Sequence, residues 1–394
     1  MSTDGTAPIT SDPGSRRATQ KVAATIAVSF ITLLLAVIVG ESVLPASREL
    51  EIPVNNVPYP YVMFRPPSGA TWHSPGPSPS SRSGEHAVEH TSSESFRIAA
   101  PGLDPARTKP GGIIRVVVLG GSTVRIGTTQ EVALPGALEI ALHTAHPDLE
   151  FEVINAGIIA AISRQELVFL ITTVVDYAPD ILVVYDGIND SGQMLYYEDR
   201  PDFPYTYRVT EAAWEEYVEG RTDPLWRLLL HRSKILERIF PNRFGARSVL
   251  HPIPAQRLIE DGGLRRGFAQ AHAGNWAKML RVAQAYGIRS VFVLQPISVV
   301  PLATSGSIGP EDSPELYANY LVYEDMQEAT QDLADRQSEF RVLDLSDLLQ
   351  PEAFYDGAHV YDDVNQIIAR EIAGFLETEI EAGVEGIRNP RDPG

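Results

Sequence analysis

The sequence predicts a three-layer α/β/α domain, a five-stranded parallel sheet between two layers of helices, preceded by one transmembrane helix. Three observations carry this reading. From Gly111 onward, short strand-like runs alternate with helix-like runs. The strand-like runs are almost continuously apolar, as strands buried on both faces are. Near the N-terminus, Val22 to Gly40 is a 19-residue stretch without a charge.

The first strand is Ile113–Leu119, nearly all β-branched residues and leucine. A helix comes next over 132–145, with Pro135 in its first turn, where proline is tolerated. Phe151–Asn155 is the second strand. Ser163 and Glu166 have capping-box spacing and open a helix that runs through Tyr177, and Pro179 stops it. Ile181–Tyr185 is the third strand. A later helix places Trp276, Met279, Leu280, Ala283 and Tyr286 on one face and ends at Gly287. Ser290–Leu294 and Phe340–Leu345 are strands four and five. Asp362 caps a last helix with an apolar stripe from Val364 to Ile380. Strands alternating with helices make a parallel sheet with right-handed crossovers, and sites in such sheets form at the C-terminal strand ends.

The rest of the chain is organised around this domain. Residues 1–21 read as a disordered cytoplasmic tail. The run 22–40 would span roughly 28 Å as a helix, close to a bilayer's hydrocarbon core. Arg16, Arg17 and Lys21 precede it, which places that end in the cytoplasm and exports the residues beyond Gly40. It reads as an uncleaved signal anchor; a cleavable signal peptide is the alternative. Residues 41–110 read as a linker. The Pro-, Ser- and Gly-dense centre, 66–93, is expected to have no fixed structure. The domain spans 111–382, with an insertion at about 191–262, and 383–394 form a disordered tail. Aromatic residues of the insertion, Tyr196, Tyr197, Tyr205, Trp214 and Trp226 among them, either form its own small core or stack on a sugar or acyl group.

Composition excludes several functions. The net charge of −19 is wrong for a nucleic-acid surface. The chain has no cysteine, so disulfides, thiolate metal sites, cysteine nucleophiles and a lipoprotein anchor are ruled out. No G-x-S-x-G surrounds Ser122, no G-x-G-x-x-G follows the first strand, and no phosphate-binding P-loop occurs. No cofactor or metal is expected.

The polar residues gather at one edge of the predicted sheet. Strand one ends in Gly120-Gly121-Ser122, strand two in Asn155-Ala156-Gly157, and strand three runs into Gly187-Ile188-Asn189-Asp190. Asp356-Gly-Ala-His359 lies after strand five. Taken singly, each reads equally as a turn. Asp356 and His359 could also be part of a metal site with Asp362 or Asp363, although no second histidine lies nearby. Together they supply what serine acyl transfer needs: a nucleophile, a base, a group that orients the base, and oxyanion donors.

Four blocks, Val118-Leu-Gly-Gly-Ser-Thr123, Ile154-Asn-Ala-Gly157, Gly187-Ile-Asn-Asp190 and Asp356-Gly-Ala-His359, resemble those of the SGNH (GDSL-like) hydrolase superfamily. The resemblance covers about 112–190 and 264–380. It implies a flavodoxin-like fold with Ser122 as nucleophile and Asp356 and His359 completing a triad. It also implies an oxyanion hole formed by Ser122, Gly157 and Asn189. One position departs: the family's Gly-Asp-Ser is Gly-Gly-Ser here, and in a membrane-anchored chain this looks more like enzymes that tailor acyl groups on bacterial envelope polymers. The implied activity is a serine esterase; the anchor and the Pro/Ser-rich linker place it outside the cytoplasm and suggest a cell-surface substrate such as an O-acylated polysaccharide. An O-acyltransferase of envelope glycans and a non-catalytic glycan-binding surface protein remain open.

Overall fold

A computed structural model of the chain describes residues 56–205 and 252–388, with a few isolated positions besides. The expected membrane anchor at 22–40 and most of the insertion lie outside the described residues. Among the described residues, no helix is long and apolar enough to cross a membrane.

A small hairpin of β1 (Val57–Tyr59) and β2 (Met63–Arg65) leads into β3 (Thr71–Pro77), β4 (His86–Thr91) and β5 (Arg97–Ile98). Then come β6 (Ile113–Gly120), α1 (Ser122–Arg125), α2 (Leu134–Ala145), β7 (Glu150–Gly157), α3 (Ser163–Thr172), β8 (Ile181–Asp186) and α4 (Ile188–Tyr196). Past the undescribed segment come α5 (Ala255–Glu260), α6 (Gly262–Ala285), β9 (Arg289–Leu294), α7 (Val299–Thr304), α8 (Pro314–Arg336), β10 (Arg341–Asp344) and α9 (Asn365–Arg388).

Five strands are parallel, in the order β10-β9-β8-β6-β7. The parallel set starts at β6 and winds first to one side and then to the other, so strand order reverses between β6 and β8. That is the switch point where doubly wound sheets bind ligands. The alternation along β6 explains its position. Val117 and Leu119 pack into one apolar cluster with α3, α6 and α8, whereas Val116 and Val118 pack into another with α2 and α9. A strand buried on both faces needs an apolar residue at every position, and Ile114 and Val116–Leu119 are at most 1 % exposed. Arg115 is the exception in the run. Its guanidinium is fully buried, paired with Glu152 at 2.6 Å, and donates to the Tyr177 carbonyl at 2.5 Å.

The sheet has eight strands, not five, because the expected linker 41–110 adds three, two of them, β3 and β4, within the stretch 66–93 expected to have no fixed structure. β5 pairs antiparallel with β7, β4 with β5, and β3 forms the edge. Composition hides these strands for a physical reason. β3 carries Pro75 and Pro77, its register shifts between His73 and Pro77, and its residues alternate exposed and half-buried. Proline is tolerated on an edge strand, where an N–H has no ladder partner to lose. The strands are held by polar contacts to the domain rather than by an apolar face of their own.

Other expectations also change. Ser163 and Glu166 do not form a capping box: Ser163 is already in the helix, Gln165 Oε1 accepts from the Ile162 N–H at 3.3 Å, and Glu166 turns inward. α3 ends at Thr172 and a separate 3-10 turn covers Val174–Tyr177. Asp362 does not cap the last helix, which begins at Asn365; its carboxylate accepts from the Thr128 N–H and hydroxyl instead. That helix continues to Arg388, past the expected start of a disordered tail at 383, while 389–394 lie outside the described residues. Tyr286 is 60 % exposed and leaves the buried face that Trp276, Met279, Leu280 and Ala283 share.

Candidate active site

Ser122 is the first residue of α1, directly at the C-terminal end of β6. The chain turns there because Gly120 and Gly121 give it room; a Cβ on Gly121 would run into the side-chain amide of Asn189. The short helix is fixed from within by Arg125, whose guanidinium is completely buried. It donates to Glu89 from Nε at 2.9 Å, to the Gly157 carbonyl at 2.9 Å and to the Ser95 carbonyl at 3.2 Å. Arg97 adds bonds to the carbonyls of Arg125, Val88 and Gly127. Strands β4 and β5, with Ser95 between them, thus brace the turn that presents Ser122.

His359 and Asp356 come from the loop between β10 and α9. An isolated antiparallel bridge between Phe354 and Val360 closes that loop. Ser298 anchors its middle, donating from its backbone N–H and its hydroxyl to the Gly357 carbonyl at 3.1 and 2.9 Å. Asp356 Oδ1 accepts the N–H groups of Ala358 and His359 at 2.8 and 2.7 Å, which leaves Oδ2 to face the imidazole. His359 Nδ1 lies 2.8 Å from Asp356 Oδ2, and His359 Nε2 lies 2.7 Å from Ser122 Oγ. The Tyr355 ring stacks against the imidazole, 5.7 Å between centroids and 14° apart in plane.

The electrostatics suit an ionised orienting group. Burial alone would push the Asp356 carboxyl up. The hydrogen bond and charge of His359, with the two backbone N–H bonds, outweigh it and hold the group below its ordinary value. A carboxylate on Nδ1 fixes the imidazole with Nε2 free to take a proton from the serine hydroxyl. Burial pushes the neighbouring Tyr355 phenol up, which keeps it neutral.

The three expected oxyanion donors fare differently. The Ser122 N–H, at the start of α1, has no protein partner among the described residues. Asn189 Nδ2 donates to the Ala161 carbonyl at 2.7 Å and retains its second hydrogen, beside Gly121. The Gly157 N–H donates to Asn155 Oδ1 at 3.1 Å, and its carbonyl accepts from Arg125. The loop after β7 also offers Ala160, a non-glycine residue at φ 60° whose N–H is unpartnered among the described residues. It lines a cleft of about 160 Å³ with Asn189, Tyr196, Tyr197 and Tyr205. Sequence reasoning missed Ala160, Arg125 and Glu89. A lone arginine three residues after the serine was a signal for the second of these; nothing marked Glu89 within the Pro/Ser-rich segment.

No family model matches the chain, and no curated protein matches it. Among solved structures, the chain is similar to a GDSL-like lipase from Bacteroides thetaiotaomicron, at 12% identity over 68% of this chain and 89% of that one, with a TM-score of 0.36. It is also similar to an acetylxylan esterase from Geobacillus stearothermophilus, at 12% identity over 68% and 97%, TM-score 0.38. A third is a carbohydrate acetylesterase from Sinorhizobium meliloti, at 12% identity over 67% and 98%, TM-score 0.37.

Proposed function

We propose that the chain is a serine-dependent ester hydrolase working outside the cytoplasm on O-acylated cell-surface polysaccharide. One observation carries the chemistry: the unbroken line from Ser122 Oγ through the His359 ring to the Asp356 carboxylate. In this reading His359 Nε2 takes the Ser122 proton as Oγ attacks the ester carbonyl. The carbonyl π electrons move onto oxygen, which the Ser122 N–H and the second Asn189 N–H receive. Collapse expels the alcohol oxygen, protonated from Nε2, and leaves an acyl-enzyme. Water then adds by the same route, giving up its proton to Nε2, and a carboxylic acid leaves with Ser122 restored. Each oxyanion donor is worth about 10²–10³ in turnover. The tyrosine-lined cleft beside Asn189 offers aromatic faces on which a sugar ring could pack.

Location is supported by sequence alone, through the apolar run 22–40 and the basic residues before it. The test is acetyl-ester hydrolysis by the full chain, with Ser122→Ala as control, in the presence and absence of added glycan acceptors. Release of free acid that requires Ser122 supports the hydrolase. Transfer of acetyl to the glycan in preference to water would replace it with the acyltransferase, and glycan binding without turnover would replace it with a binding protein.

A further inference from the structure

Behind Asn189, on the inner side of α4, lies a second group of titratable side chains that the ester chemistry does not use. Asp186 ends β8, Asp190 is in the first turn of α4, His272 comes from α6 and Glu166 from α3. Asp186, Glu166 and His272 are each 1 % exposed. One ligand atom from each of Asp186, Asp190 and His272 can be chosen so that all lie within 4.8 Å of one another. His272 Nδ1 is 3.4 Å from Asp190 Oδ1 and 4.0 Å from Asp186 Oδ2.

The hydrogen bonding in this group is incomplete in one direction only. Outward, it is satisfied: Asp186 Oδ1 accepts the Gly187 N–H at 2.7 Å, and Asp190 accepts the Ser163 N–H at 2.9 Å and the Ser163 hydroxyl at 2.6 Å. Inward, Asp186 Oδ2, both Glu166 oxygens and both His272 ring nitrogens have no hydrogen-bond partner among the described residues. Buried polar atoms without a partner are rare in native proteins, and each costs free energy. Among the described residues no arginine or lysine pairs with the group; its cation-forming side chain is His272. Burial, and then the neighbouring carboxylates, push Glu166 and Asp186 up. Burial also acts on Asp190, but the nearby imidazole of His272, 3.4 Å away, together with the two Ser163 hydrogen bonds, prevails and holds it down. Two carboxylates and one imidazole converge on a point that a cation would satisfy, and the Glu166 carboxyl adjoins them.

We propose that Asp186, Asp190 and His272, with Glu166 beside them, form a buried binding site for one divalent first-row transition ion of the Mn²⁺ or Zn²⁺ class. An imidazole among carboxylates suits these ions, whereas Ca²⁺ and Mg²⁺ take oxygen ligands. The separations match ligand atoms that close to a little over 2 Å from a shared ion. Ser163 already plays the part of an outer partner, holding Asp190 in orientation, and Asn275 Nδ2 supports it, donating to Ser163 Oγ at 3.0 Å. The ion would not touch substrate. It would fix the first turn of α4, which carries Asn189, to β8, α3 and α6.

The test needs no turnover, so its outcome is separate from that of the esterase reading. The full chain is stripped with a chelator, and Mn²⁺, Zn²⁺ and Ca²⁺ are added singly, with bound metal and Tm measured. About one equivalent of Mn²⁺ or Zn²⁺ should bind, and Tm should rise by about 5 °C at a hundredfold excess over Kd. Ca²⁺ should do neither. His272→Gln and Asp186→Asn should lose the bound equivalent and the shift. No binding by the stripped wild-type chain, a preference for Ca²⁺, or retention of both effects in His272→Gln would overturn the proposal. The wild-type arm decides the matter even if a variant does not fold.

Discussion

The side-chain amide of Asn189 occupies the space that a Cβ on Gly121 would need. A side chain at 121 therefore requires the Asn189 amide to move. Where the resembling family has Gly-Asp-Ser, this chain has a glycine against which an amide packs. Gly121→Ala should force the Asn189 amide off the Ala161 carbonyl it now reaches at 2.7 Å. The expected result is a drop in turnover of about 10²–10³, the size of one lost oxyanion donor, with little change in KM. Asn189→Ala should cost about the same, and the double variant no more than either single one. Additive losses in the double variant would contradict the coupling.

Glu89 lies in the segment whose composition looked structureless, yet its carboxylate is the ion-pair partner of a fully buried guanidinium, 2.5 Å from Arg125 Nη2. Removing one member of a buried pair leaves the other charge uncompensated. Glu89→Ala should therefore lower unfolding free energy by about 3–5 kcal/mol, read by urea denaturation. Asp363→Ala breaks an exposed pair, 51 % and 67 % accessible at Arg82 and Asp363, and should cost less than about 1 kcal/mol. A fragment starting at 98 would lack β3, β4 and Glu89 and should not fold stably.

The depressed Asp356 carboxyl makes a pH prediction with a definite sign. A carboxyl held lower in the folded state contributes stability above its unfolded value, near about 3.9, and loses it as pH falls through the folded value. The difference in denaturation midpoint between wild type and Asp356→Asn should be full at about pH 5–6 and shrink below about pH 4. A difference that persists unchanged at about pH 3 would mean that the carboxylate's charge does not stabilise the loop.

Ala160 holds a left-handed backbone at φ 60°. An L-residue there costs roughly 1–2 kcal/mol, and glycine does not carry that cost but adds entropy to the unfolded chain. Ala160→Gly should gain about 0.5–1 kcal/mol in thermal unfolding, whereas Ala160→Val should destabilise.

The parallel sheet was legible because burial on both faces forces continuous apolar runs, as in 113–119, 181–185 and 290–294. The juxtaposition of Ser122, His359 and Asp356 was legible because serine, glycine and asparagine stand at strand ends, with the Asp-x-x-His pair following in one order. What composition hid was held by polar contacts instead. β3 carries proline, serine and glycine because it forms the edge, and β4 beside it is pinned through Val88 and Glu89 by Arg97 and Arg125. Nothing in the sequence shows that the Asn155 side chain, two residues earlier, accepts the Gly157 N–H. Glu166 looked like a capping residue by spacing, and only the packing of α3 shows it turned inward.

The central claim is that Ser122 is a nucleophile activated by His359. The most direct measurement is fluorophosphonate labelling of the full chain, with the adduct located by peptide mass. One adduct on the peptide containing Ser122 is expected, absent in Ser122→Ala and formed much more slowly in His359→Ala. A folded wild-type chain that takes no label, or a label that survives in Ser122→Ala, would contradict it.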